Sequence, residues 1–149
     1  MAVNNVVTSD EIRRFMMDRP ELNTLVDGVR WDEKDVEQAM ITCCDIYNST
    51  TPIMLMDQYR VENFPYRYIM TIFCAGHLLR SAAINQASNQ LTYSADGVTV
   101  DDNNKAQLFG AMSQELLGEA KDMMKQIKIS KNVMGAYGGK ASEYAYLIR

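Results

Sequence analysis

A thiol and an imidazole, Cys74 and His77, lie three positions apart in an apolar stretch of the chain. On a helix this spacing puts the two side chains at neighbouring positions, as a nucleophile and its general base require. The surrounding sequence supplies no carboxylate to orient the imidazole and no loop to bind an oxyanion. We therefore interpret both residues as core side chains and expect no thiol catalysis.

The 3 cysteines and the single histidine also make up the inventory of a Cys3His zinc site. Cys43 and Cys44 are adjacent, however, so a helix would turn their side chains about 100° apart. The sequence has no CxxC pair, and an odd number of cysteines is a poor disulfide framework. The pattern favours small buried thiols, and we predict neither a metal nor a cofactor.

Acidic residues cluster at two places where helices are expected to begin. The clusters comprise Asp32, Glu33, Asp35 and Glu37, and then Asp101 and Asp102. Negative charge stabilises the N-terminal end of a helix without any catalytic duty. The YGG stretch at 137–139 lacks the spacing of a phosphate loop or a dinucleotide fingerprint. These observations predict that the protein is not an enzyme.

The 149 residues, with 47% hydrophobic and 23% charged side chains, indicate one globular domain. The longest apolar run is too short to span a bilayer, and the N-terminal residues lack the pattern of a signal peptide. We therefore expect a soluble protein made in a reducing cytosol.

Charge is distributed unevenly along the chain. Residues 1–104 hold 8 Lys/Arg and 15 Asp/Glu, a net charge of -7, whereas residues 105–149 hold 7 and 4, a net charge of +3. This polarity is consistent with an ordinary solvated surface or with a head-to-tail assembly in which acidic and basic parts of neighbouring subunits meet. Nucleic acid is a weaker candidate because no dense basic stripe is present.

Hydrophobic periodicity and capping residues predict four helices. The first covers about Ser9–Asp18, the second runs from an Asp32 cap to about Tyr47, the third starts at Pro65 and covers about 25 residues, and the fourth covers about Asn103–Ile129. The third is apolar almost all round and is expected to be central, with the small residues Ala75, Gly76, Ala82 and Ala83 allowing neighbours to approach closely. Residues 53–64 are expected to form an irregular segment packed on the core.

The buried face of the fourth helix is predicted from its apolar positions. That set is Leu108, Met112, Leu116, Leu117, Ala120, Met123, Met124 and Ile127. Gly110 and Gly118 are expected to mark close packing or slight bending in this helix.

Between the two long helices, LTY and VTV are β-prone triplets joined by Ser94, Ala95, Asp96 and Gly97. They predict a short hairpin, about Leu91–Val100, that projects from the end of the helical pair. The fold prediction is therefore mainly α, a helical bundle whose two long antiparallel helices are joined by this β-hairpin. An extended C-terminal arm at 131–149 follows a helical domain at 1–130.

The arm is rich in glycine and in large apolar side chains, a composition that favours ordering on a partner surface. Folding back over its own domain is the alternative. Methionine, at 11 residues, is abundant and is interpreted first as adaptable core packing.

Three segments follow one another in the chain: RPELNTLVDG, a helix ending in YNSTTP, and a long helix leading through ASNQLTYSADGVTV into a second long helix. This order resembles that of the neck or head-tail connector proteins of tailed bacteriophages. The resemblance spans most of residues 18–130, and LTYSADGVTV is its most specific part. It implies a non-catalytic adaptor in the virion neck that forms a dodecameric ring beneath the portal protein and continues the DNA channel.

The implied partners are other copies of the chain, the portal protein, the next neck or tail protein, and DNA that passes without sequence-specific binding. No membrane partner is implied, and assembly would take place in the host cytoplasm. The predicted partner-binding residues are Tyr93, Asp96, Gly97, Val98, Val133, Met134, Tyr137, Tyr144, Tyr146, Leu147 and Ile148. The alternative function is that of a small helical nucleic-acid-binding or regulatory protein.

Overall fold

The computed structural model of the chain describes residues 6–23, 28–54, 57–88, 93–95, 98–100 and 103–137. Its helices within these ranges are α1 (Ser9–Phe15), α2 (Glu33–Ser49), α3 (Arg67–Ser88) and α4 (Asn103–Tyr137), with a 3-10 helix at Val61–Asn63. None of the helices in the described ranges combines the length and apolar character needed to cross a membrane.

The first two helices begin at the side-chain caps that the sequence predicts. Thr8 and Glu11 form a reciprocal capping box at the start of α1. The Asp32 carboxylate accepts a hydrogen bond from the backbone N–H of Asp35, 2.9 Å away, at the start of α2. α1 ends at Phe15, three residues before the predicted end, and Met17 adopts a left-handed φ of 56° that turns the chain out of the helix.

The connection between α1 and α2 folds around the buried carboxylate of Asp18. Its oxygens accept hydrogen bonds from the backbone N–H groups of Arg30 and Trp31 and from the side-chain amide of Asn23. These bonds satisfy a carboxylate that burial would otherwise destabilise. They hold Trp31 at the edge of the core.

Helix α3 is the centre of the bundle, as predicted, and packs on α4, α2 and α1. The Tyr68 hydroxyl meets Glu119 of α4, whereas Gly76, further along α3, meets the earlier residues Ser113 and Leu117. The order of these contacts shows that α3 and α4 run antiparallel. Leu117 approaches Gly76 so closely that an added Cβ would lie 2.9 Å from its Cγ, which explains the glycine in this helix.

Two predicted details of α4 are wrong. Leu108 and Met112 are exposed, because the face of α4 that packs on α3 runs through Ser113, Ala120 and Met124 instead. Gly110 and Gly118 mark no close packing, since a Cβ at either position would meet nothing within 4 Å, whereas the slight bending expected as the alternative stays a prediction.

The predicted fold class needs correction at the hairpin. The predicted helical bundle is confirmed, but the short β-hairpin predicted over about Leu91–Val100 to join its two long helices is corrected, because the described residues there hold only two short strands. The described strands, β1 (Tyr93–Ala95) and β2 (Val98–Val100), have three residues each and pair with one another. Strands of this length form no independent layer. Residues 91–92 and 96–97 lie outside the described residues.

The extended C-terminal arm also needs correction. Helix α4 continues through residue 131 to Tyr137, so the predicted extended conformation is wrong for residues 131–137. Gly135 lies within this helix, at a cost of only about 1 kcal/mol relative to alanine. Residues 138–149 lie outside the described residues.

Candidate assembly surface at the end of helix α4

Four aromatic rings gather where α2, the 57–66 segment and α4 meet. Tyr47, Tyr59, Phe64 and Tyr66 contact one another with ring centroids 5.3 to 6.5 Å apart. Most of the pairs are edge-to-face or tilted, which are favourable arrangements for aromatic quadrupoles. The rings form one wall of a pocket that receives two lysines from α4.

Asp57 is the carboxylate at the centre of this pocket and is only 6% exposed. Its Oδ2 accepts a hydrogen bond from the Tyr47 hydroxyl at 2.9 Å, and its Oδ1 accepts one from Lys131 Nζ at 2.5 Å. Lys131 also donates to the Tyr59 hydroxyl at 3.0 Å. The carboxylate is thus paired with a cation and hydrogen-bonded, as a buried charge must be.

Lys128, one turn earlier in α4, is fully buried. Its Nζ lies 3.4 Å from the backbone carbonyl oxygen of Asp57 and 3.8 Å from Oδ2. It also lies 4.4 Å from the centroid of the Tyr47 ring, whose face attracts a cation. We call Asp57, Lys128, Lys131 and the four aromatic residues the lysine–tyrosine cluster.

The cluster shifts the pKa values of its members in directions that follow from its geometry. Burial alone would raise the pKa of Asp57, but hydrogen bonds from Lys131, Tyr59 and Tyr47 outweigh it and hold that pKa below its ordinary value. Burial alone would lower the pKa of Lys131, but its bonds to Asp57 and Tyr59 raise it. Burial lowers the pKa of Lys128, because its contact with Asp57 compensates less well.

The two inward lysines fix the orientation of the end of α4. Each residue of a helix turns by 100°, so Ile129 and Val133 lie about 160° and about 200° round from Lys131. They therefore face away from the bundle and are 45% and 49% exposed. We call Lys125, Ile129 and Val133 the outer face of α4.

The core-facing side of α4 is also unpartnered at its end. Met124, Ile127 and Lys131 follow one another at intervals of three and four residues along that side, and Met134 continues the series. Met124 is fully buried, whereas Met134 is 71% exposed. Helix α4 therefore continues beyond the core that it packs against. Its 35 residues are roughly 52 Å long, compared with roughly 33 Å for the 22 residues of α3.

A groove lies on the surface of α2, against the 3-10 helix. Two adjoining cavities of about 440 and 400 Å³ share Ile41, Val61 and Glu62. Ile41 is 46% exposed on the floor, and Glu37 and Asp45 complete the rim. We call Ile41, Val61, Glu37, Asp45 and Glu62 the acidic groove.

Charges around the acidic groove are partly compensated. Glu33, at one end, is paired with Arg13 at 3.1 Å, and Arg60 lines the other end. Glu37, Asp45 and Glu62 form no ion pair with any residue in the described part of the chain. The groove therefore joins an apolar floor to a net negative rim.

The structure brings together few of the predicted partner-binding residues. Val133 and Met134 lie on the last turns of α4 and are exposed. The backbones of Tyr93 and Val98 belong to β1 and β2, and Tyr137 ends α4, but the side chains of these three are outside the described set. Asp96, Gly97, Tyr144, Tyr146, Leu147 and Ile148 also lie outside the described residues.

The cysteines considered for catalysis or metal binding lie in the core, whereas His77 is only partly buried. Cys43, Cys44 and Cys74 are buried free thiols. Burial raises the pKa of Cys44 to about 11 and raises those of Cys43 and Cys74 further, so these groups are protonated near neutrality. His77 stacks on Phe73, and burial lowers its pKa. Among the described residues, no group of three or more His, Cys, Asp or Glu side chains is arranged to hold a metal ion.

Sequence reasoning missed the lysine–tyrosine cluster. The available signal was the carboxylate of Asp57, within the apolar segment 53–64 that was expected to pack on the core. A buried carboxylate needs a cation, yet the lysines that supply it lie 71 and 74 positions further on. From the sequence, Lys128 is expected near the negative end of the fourth helix, and Lys131 is expected at the start of the C-terminal arm.

Comparisons with protein-family models, with curated proteins and with solved structures gave no significant match to this chain.

Proposed function

We propose that this chain is a structural protein of a tailed-phage particle. In this proposal it forms a ring below the portal protein, joins head to tail, and continues the channel through which DNA passes. The resemblance of residues 18–130 to neck proteins motivates the proposal. The observation that carries it is the end of α4, where a helix continues beyond its own core and presents apolar side chains to solvent.

A helix end whose apolar side chains pack against nothing is energetically unfavourable in a protein that functions as a monomer. Ile129 and Val133 on the outer face, and Met134 on the core-facing side, all expose apolar surface within six residues, and exposed apolar surface that is gathered in one place marks interaction sites. The lysine–tyrosine cluster holds this segment in a fixed direction, so that little conformational entropy is lost on binding. A rigid, apolar helix end suits a subunit whose task is to dock on another protein.

The experiment is a binding assay between the purified chain and the isolated portal protein of the same phage. We expect a complex on size-exclusion chromatography and a ring on the portal by electron microscopy. Met134→Asp should weaken the complex, because a charge would have to be desolvated at the contact. Leu22→Asp, at a half-exposed leucine in the α1–α2 connection, is the matched control and should leave binding unchanged.

Two results would overturn the proposal. One is the absence of any portal complex for the wild-type chain. The other is tight binding to duplex DNA that weakens steeply with salt in the absence of portal binding, since that behaviour defines the alternative of a nucleic-acid-binding protein.

A further inference from the structure

We infer that the acidic groove on α2 receives the outer face of α4 from a second copy of this chain. The inference rests on the proposed ring and specifies which two surfaces meet in it. The occupant is Lys125, Ile129 and Val133 of one copy, and the receptor is the apolar floor and acidic rim of the groove on the next.

Charge complementarity is the first argument for this pairing. On the outer face of α4, Lys125 supplies the positive charge, whereas Lys128 and Lys131 are paired with Asp57 inside their own subunit. The acidic groove carries Glu37, Asp45 and Glu62 without an ion-pair partner in the described part of the chain. Complementary potentials of this kind fix register and exclude wrong partners.

Apolar matching is the second argument. Ile129 and Val133 are one helical turn apart on the outer face, and each is about half exposed. The floor of the groove offers Ile41, which is also about half exposed, beside Val61. A helix that lays adjacent aliphatic side chains into an apolar groove is a common mode of recognition.

The third argument is that the contact must be made between molecules. Lys128 and Lys131 point into the cluster of their own subunit, so the outer face of the same helix points away from its own bundle. Its own groove lies on that bundle. The contact is therefore heterologous, with different surfaces on the two subunits, and such contacts close into rings when the rotation permits.

Cross-linking through introduced cysteines tests the contact. Ile41→Cys and Val133→Cys are placed on separate chains, mixed, assembled alone or on the isolated portal, and treated with a short bismaleimide. We expect a linked dimer only in the mixture. Gln38→Cys on α2 and Gln114→Cys on α4 are exposed controls and should give no link. The native cysteines are buried and should contribute little background.

A charge exchange gives an independent test. Glu37→Lys and Lys125→Glu should each weaken self-association several-fold, and the two substitutions on one chain should restore it, because every interface then regains an opposite pair. Raising the salt concentration should weaken the wild-type contact as well.

Four outcomes would overturn the inference. A ring that assembles on the portal without a 41–133 link leaves the proposed function standing and removes this contact. A cross-link within one monomeric chain that carries both Ile41→Cys and Val133→Cys shows that the outer face of α4 occupies the groove of its own chain. If shortening the chain to residue 137 makes Ile41→Cys more reactive in the monomer, residues 138–149 of the same chain are the occupant. Loss of both self-association and portal binding in the wild-type chain removes the proposed function too.

Discussion

Lys131 donates a hydrogen bond to the buried carboxylate of Asp57, 74 positions earlier in the chain. This contact joins α4 to the segment that leads into α3, and it lies just before the point where α4 leaves the bundle. Because Lys128 enters the same pocket one turn earlier, the helix cannot rotate without breaking both contacts. The direction in which α4 presents its exposed residues is thus set by a charged pair inside the protein.

Asp57→Asn should destabilise the fold strongly. It removes the carboxylate that pairs with two lysines, one of which is fully buried, and leaves their charge uncompensated. Breaking a buried pair in this way costs about 3–5 kcal/mol. Urea denaturation followed by circular dichroism measures the free energy of unfolding. Asp45→Asn, at an exposed acid on α2, is the control and should change it by less than about 0.5 kcal/mol. A loss below about 1 kcal/mol for Asp57→Asn would contradict a charged cluster.

Acid should remove the stabilisation that Asp57 provides. Burial opposes ionisation, but the hydrogen bonds from Lys131, Tyr59 and Tyr47 lower the pKa of Asp57 in the folded state below its ordinary value of 3.8. A lowered folded pKa stabilises the protein above the ordinary value, and this contribution is lost as the pH falls through the folded pKa. The difference in unfolding free energy between wild type and Asp57→Asn should therefore be constant near neutrality and shrink in acid. A difference in unfolding free energy that grows as the pH falls would contradict this prediction.

The sequence was sufficient for the helices because their signals are local. Thr8 and Asp32 cap the first two helices through hydrogen bonds within a single turn, and the apolar stretch from Ile69 to Leu78 required burial whatever its neighbours. The close approach at Gly76 was also predictable, since a glycine amid large apolar residues leaves room for another helix.

The other features of the fold depend on tertiary contacts, which the spacing of residues along the sequence does not encode. The end of α4 was expected near residue 129 because glycines follow, yet contacts of Lys128 and Lys131 with Asp57 carry the helix further. Leu108 and Met112 were expected inside because they are apolar, but the face of α4 that packs on α3 runs through Ser113, Ala120 and Met124 and leaves both residues exposed. The sequence predicted Val133 and Met134 of the candidate site, but it did not predict the lysine–tyrosine cluster that orients them.

Lys128→Met should be tolerated, unlike the loss of Asp57. Lys128 contacts Asp57 at 3.4 and 3.8 Å, whereas Lys131 makes the close hydrogen bond. Removing Lys128 leaves one carboxylate with one cation, and methionine fills a similar volume. We expect stability within about 1 kcal/mol of wild type, or higher. Lys131→Met is the comparison and should cost about 1.5–3 kcal/mol. Equal losses for the two variants would show that both lysines pair equally with Asp57.

The three thiols should resist modification in the folded protein. Cys43, Cys44 and Cys74 are buried, and burial raises their pKa values well above neutrality, so little thiolate is available to react. Titration with an aromatic disulfide reagent should show almost no rapid reaction in buffer and 3 reactive thiols per chain in denaturant. Rapid reaction of even one thiol in buffer would place that cysteine at the surface.

Two glycines in the helical pair should respond to alanine in opposite directions. At Gly76 a new Cβ would lie 2.9 Å from Leu117 Cγ and 3.2 Å from the Leu117 backbone nitrogen. The side-chain atom can move but the backbone cannot, so α4 must shift, and overpacking of this kind costs about 1–3 kcal/mol. At Gly118 a Cβ would meet nothing within 4 Å. Gly118→Ala should therefore stabilise the protein by about 0.5–1 kcal/mol, through helix propensity alone. Because both substitutions are the same chemical change in an α-helix, the difference between their unfolding free energies measures how closely α3 and α4 approach, and equal effects would mean that they do not touch at Gly76.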